Sequence, residues 1–76
     1  MNNERRKNLR GILEQLEEIR NDLEVIKDEE EEYRDNIPEN LQESERFEKA
    51  EAACDSLCDA LNSLEEAVEY IENAIE

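Results

Sequence analysis

Cys54 and Cys58 stand four residues apart, and an unbroken run of carboxylates, Asp28, Glu29, Glu30, Glu31 and Glu32, precedes Tyr33. These residue types can do redox, metal or acid-base chemistry. Two thiols four apart on one helix are poorly placed to form a disulfide with each other. As metal ligands they would need further Cys or His, and the chain has only two Cys and no His. Small apolar packing residues in a reducing compartment are the better reading. Without histidine the chain also lacks the commonest general base. A carboxylate takes that role only in a pocket that perturbs its proton affinity, and two packed helices offer none. The stretch "DEEEEYRDN" has no glycine where a calcium-binding loop turns sharply. The expectation is a protein with no enzymatic activity, no metal and no cofactor.

The elements that hold these residues follow from periodicity. With Leu9 as heptad position a, the first half places Leu9, Leu16, Leu23, Glu30 and Ile37 at a, and Ile12, Ile19, Ile26 and Tyr33 at d. With Phe47 as a, the second half places Phe47, Cys54, Leu61, Val68 and Ile75 at a, and Ala50, Leu57, Leu64 and Ile71 at d. Such rows define helices with an apolar seam, since strands would alternate with period two. One glycine and one proline in 76 residues leave a single strong break, at Pro38. The sequence therefore predicts one all-α domain over residues 1–76, an antiparallel two-helix coiled-coil hairpin. Its helices run over about residues 3–35 and 44–75, with the turn at 36–43.

In "DNIPENLQES", Asn36 is expected to cap a short helical turn near Pro38, with Glu39 at the capping-box position, and Ser44 to cap the second helix. A short connection makes the helices antiparallel, so a rows layer on d rows: Tyr33 with Phe47, Ile26 with Cys54, Leu23 with Leu57, and so on to Leu9 with Ile71. Glu30 then meets Ala50, where local loosening is expected. The e rows, Arg6, Arg20, Lys27 and Arg34 against Glu51, Glu65 and Glu72, should face one another as opposite charges. Ala53, Ala60, Ala67 and Ala74 recur every seventh residue and permit close helix approach. They form the expected dimer face, through which two hairpins would build a four-helix bundle. Tyr70 lies on the outer side as an anchor for a partner.

Charge separates along the chain. Residues 1–27 balance six acids with six bases, whereas residues 28–43 carry eight acids against Arg34 alone. Residues 44–76 carry ten acids against Arg46 and Lys49. A net charge of -15 disfavours nucleic acid and anionic membrane as direct ligands and favours a basic protein surface. There is no apolar run of the ~20 residues that a membrane span needs. Glu48, Asp55, Asp59, Glu66 and Glu69 recur on the outer side of the second helix at b and f. Carboxylates on successive turns, about 5.4 Å apart, approach the roughly 7 Å scale of phosphate repeats in a nucleic-acid strand.

The segments "YRDNIPENLQESERFEKAEAACDSL" and "LEEAVEYIENAIE" resemble small acidic helical proteins encoded by phages and mobile elements of low-GC Gram-positive bacteria, over residues 27–76. The resemblance implies a setting, the cytoplasm of a bacterial host. Very small acidic phage proteins in general resemble inhibitors of host nucleic-acid machinery, of the anti-CRISPR, anti-restriction and glycosylase-inhibiting kinds. The expected function is therefore inhibition of a basic bacterial protein by an acidic, nucleic-acid-mimicking surface. Its expected partner-binding residues are Asp28, Glu29, Glu31, Glu32, Glu48, Asp55, Asp59, Glu66 and Glu69. The alternative is a structural oligomerisation module acting through its apolar and alanine-rich face.

Overall fold

The computed structural model describes all residues, 1–76. Helix α1 spans Asn3–Asp35, a single 3-10 turn spans Glu39–Leu41, and helix α2 spans Glu45–Ile75. The two long helices pack side by side as an antiparallel hairpin, a rod of 59 × 15 × 13 Å.

Each helix begins at a residue whose side chain accepts a hydrogen bond from an otherwise orphaned amide. Asn2 Oδ1 accepts from the Arg5 N–H at 2.8 Å, and Ser44 Oγ accepts from the Phe47 N–H at 3.3 Å. The Ser44 hydroxyl also donates to the Leu41 carbonyl, tying α2 to the 3-10 turn. Asn36 plays a different part from the one its sequence context suggests. It ends α1, its backbone N–H donating toward the Arg34 and Glu32 carbonyls, while the 3-10 turn starts after Pro38 with no side-chain cap. Pro38 lacks an N–H, and its ring disfavours helical geometry at Ile37, so α1 stops just before it.

The expected a/d seam holds for α2 but not for α1. In α2, Ala50 and Cys54 are buried, and Phe47, Leu57, Leu61, Leu64, Val68, Ile71 and Ile75 are half-buried. In α1 the d row, Ile12, Ile19, Ile26 and Tyr33, lies 43% to 54% exposed. The half-buried residues of α1 are instead the a row, Leu9, Leu16, Leu23 and Glu30, and the e row, Arg6, Leu13, Arg20, Lys27 and Arg34, with Gly11 and Glu31 besides. The leucine row is common to two possible seams, one shared with isoleucines and the other with Leu13 and long cations. Those cations bring aliphatic stems that cover apolar surface while their charged heads reach water. Electrostatic attraction to the acidic α2 favours turning this side of α1 inward.

Burial concentrates at the closed end, around the layer where Glu30 is expected to loosen the packing. The three buried residues of the chain, Ile37, Ala50 and Cys54, all lie there. Ile37, in the turn, is buried at 2% relative exposure and Ala50, near the start of α2, at 3%. Glu30 is half-buried near Cys54, and no buried side-chain polar atom lacks a partner.

Candidate interaction surfaces

The rotation of α1 gives the hairpin two unlike sides. On one, the e row of α1 faces α2, with Lys27 near Cys58 at e and Arg34 near Cys54 at a. The α2 acids at b, e and f continue outward from this side. On the other, the α1 d row meets the α2 g row, as Arg46 at g stacks over the Tyr33 ring, 5.6 Å from its centroid. The first side is charged and the second largely apolar.

The expected cross-helix ion pairs between e rows do not form. Every ion pair joins residues of one helix no more than four apart: Arg20–Glu17 at 3.0 Å, Lys27–Asp28 and Lys27–Glu31 at 3.6 Å, Arg34–Asp35 at 3.1 Å and Lys49–Glu45 at 3.1 Å. For Arg20, Lys27 and Arg34 a carboxylate on the same helix, adjacent or one turn away, takes the cation, and Arg6 makes no ion pair. The one side-chain hydrogen bond that joins α1 to α2 runs from Arg6 Nε to the Ile75 carbonyl at 2.9 Å.

Local pairing sorts the acids. Asp28 and Glu31 share Lys27, whose side chain is 19% exposed. The Glu31 carboxylate, with help from Asp28, raises the Lys27 pKa against a smaller opposing effect of desolvation. Arg34 is likewise held protonated by its hydrogen bond to Asp35. Glu29, Glu32, Glu48, Asp55, Asp59, Glu66 and Glu69 are exposed, and no cation lies within ion-pair distance of any of them. They are seven of the eighteen exposed carboxylates that have no cation within ion-pair distance. They are not gathered into one patch but spaced along the rod.

Ala53, Ala60 and Ala67 are half-buried and Ala74 is exposed, while Tyr70 is among the most exposed apolar side chains. The residues that sequence reasoning misplaced are the α1 d row, Ile12, Ile19, Ile26 and Tyr33, which it assigned to the core and which lie exposed. The signal was present: counting from Leu13 instead of Ile12 gives a second row, Arg6, Leu13, Arg20, Lys27 and Arg34, with the same 4,3 spacing against the leucines.

Neither thiol is in a disulfide. Burial pushes the Cys54 thiol pKa up; Arg34 opposes this, and Glu30, Glu31 and Asp55 add to it. A thiol so placed is a poor nucleophile at neutral pH. The surface has no pocket, no group of three acidic or thiol side chains converges as metal ligands would, and no helix is long and apolar enough to cross a membrane.

Fold and surfaces together define the class: an all-α antiparallel helical hairpin with one acidic and one apolar side. No family model, curated protein or solved structure matches the chain.

Proposed function

We propose that this chain is a protein-binding hairpin whose acidic side docks on the basic surface of a bacterial nucleic-acid-binding or defence protein and competes there with nucleic acid. The observation that carries this reading is the excess of exposed carboxylates without counter-cations, eighteen in all, spaced along a rod 59 Å long. A helical rod holds such charges at fixed spacing, so a groove shaped for a phosphate backbone meets a preorganised polyanion. The resemblance of residues 27–76 to phage and mobile-element proteins supports the bacterial cytoplasm as the setting.

The test is capture of partners from a bacterial lysate by the wild-type chain and by a Glu29→Gln, Glu32→Gln, Glu48→Gln, Asp55→Asn variant. The wild type should retain nucleic-acid-binding proteins that added duplex DNA or RNA displaces, with retention falling steeply between 50 and 300 mM salt. The variant should retain at least tenfold less. Capture that ignores both salt and these substitutions overturns the reading.

A second reading, a module that joins copies of itself, is favoured by the isoleucine row that α1 leaves uncovered. The two readings are compatible, because the α2 acids at b and f lie away from the α1 isoleucine row.

A further inference from the structure

Helix α1 carries two seams and uses one. Beside the leucines Leu9, Leu16 and Leu23, common to both, it turns inward Arg6, Leu13, Arg20, Lys27 and Arg34 and leaves Ile12, Ile19, Ile26 and Tyr33 exposed. The exposed row holds four large apolar side chains, the inward row one leucine and the stems of four cations, so apolar burial by itself favours the other rotation. What favours the present one is charge, since the cation row faces a helix segment, residues 44–76, with ten acids and two bases. Little else holds α1 in place. None of its residues is fully buried. Every ion pair lies within one helix, so a turn of α1 about its own axis breaks none of them. Two contacts oppose the turn, Arg6 Nε with the Ile75 carbonyl and Arg46 over the Tyr33 ring. Both are made by long arginine side chains near the two ends of the rod, and the middle of the seam has no such link.

We propose that α1 is a two-position helix set by ionic strength. At high salt it turns about its own axis by roughly 50°, the angle between the two seams at 3.6 residues per turn. The turn lays Ile12, Ile19, Ile26 and Tyr33 against α2 and moves the cation row outward. The leucine row stays in contact throughout, so the helices do not separate. The two opposing contributions respond differently to salt. Attraction between the α1 cations and the exposed carboxylates of α2 is screened, its reach falling from about 30 Å at about 10 mM salt to about 3 Å at about 1 M. Burial of aliphatic surface is not screened and becomes the larger effect. Ionic strength thereby decides whether α1 presents its isoleucine row or its cation row outward.

Hydroxyl-radical footprinting of the wild-type chain tests this, with oxidation at each residue normalised to Tyr70, which points away from α1 in either position. Between about 10 mM and about 1 M salt, oxidation at Ile12 and Ile19 should fall at least about threefold while that at Leu13 rises, with helical circular dichroism unchanged. An Arg20→Gln, Lys27→Gln variant, with less attraction to lose, should make the same change at lower salt. Oxidation that stays constant at all three residues across the salt range overturns the inference. So does protection of the isoleucines with Leu13 still protected, which would mean that another molecule covers the row. A change whose midpoint the two glutamine substitutions leave in place overturns the electrostatic control.

Discussion

Arg6 Nε donates a hydrogen bond to the Ile75 carbonyl at 2.9 Å, closing the open end of the hairpin across 69 residues of sequence. The last turn of α2 has no basic residue of its own, and its carbonyls carry the negative end of the helix dipole. Arg6 supplies from α1 the cation that α2 lacks. Arg6→Ala should therefore cost about 1 kcal/mol, in line with a partly exposed charged hydrogen bond. Hydrogen exchange should localise the loss, with faster exchange of the amides of residues 70–75 and none of those near Ile37.

The seam of α1 is tested by two adjacent residues of similar size. Leu13 is half-buried on the e row and Ile12 is 43% exposed on the d row. Leu13→Asn should lower the unfolding free energy by about 1 to 2 kcal/mol, the scale for partial burial of an aliphatic side chain. Ile12→Asn should change it by less than about 0.5 kcal/mol. An a/d seam would reverse the order, and urea titration decides between them.

The break and the start of α2 were legible because each is written locally: Pro38 as the stop, Ser44 as the cap and a seven-residue apolar repeat on either side, whereas the Asn2 cap of α1 was not read from the sequence. The α2 seam was legible for a related reason, since its e row holds Glu51, Glu65 and Glu72 and leaves d as the only apolar companion of a. On α1 two rows flank the leucines, and choosing between them is a tertiary decision. It depends on Arg20, Lys27 and Arg34 lying down along α2, which pattern reading counts only as charge. The acidic residues could be picked from sequence, but not which of them local cations engage. That Lys27 takes up Asp28 and Glu31 while Glu29 and Glu32 stay free follows from side-chain geometry.

Stability should fall on the alkaline side. Cys54 has its pKa raised from the ordinary 9.0 by burial, so the folded chain keeps the thiol proton where the unfolded chain has lost it. Its contribution is fully present below pH 9.0 and lost as pH rises through the folded value. Lys27 acts with the same sign, its pKa raised from 10.5 by Glu31, so its contribution is lost only at still higher pH. The melting temperature should be flat from pH 7 to 8.5 and fall above 9. Cys54→Ala should weaken the first part of that fall and leave the later part. In the native state at pH 8, iodoacetamide should label the half-buried Cys58 before the buried Cys54. Equal labelling rates would show that the closed end opens freely.

The acidic end of α1 predicts a substitution that gains stability and loses binding. Glu32 lies in the last turn of α1, where the helix dipole is negative, and it has no cation beside it. Glu32→Gln removes a charge that this site disfavours and should stabilise the hairpin by about 0.3 to 0.5 kcal/mol at low salt, with the gain vanishing near 1 M salt. Glu29→Gln, almost a full turn further from the helix end, should gain less, because the dipole acts mainly within the last turn. If the free carboxylates are what a basic partner reads, both substitutions should weaken its capture while the hairpin melts no lower than the wild type. That pairing of signs separates a surface kept for binding from one kept only for solubility, since losing a purely solubilising charge would leave capture unchanged.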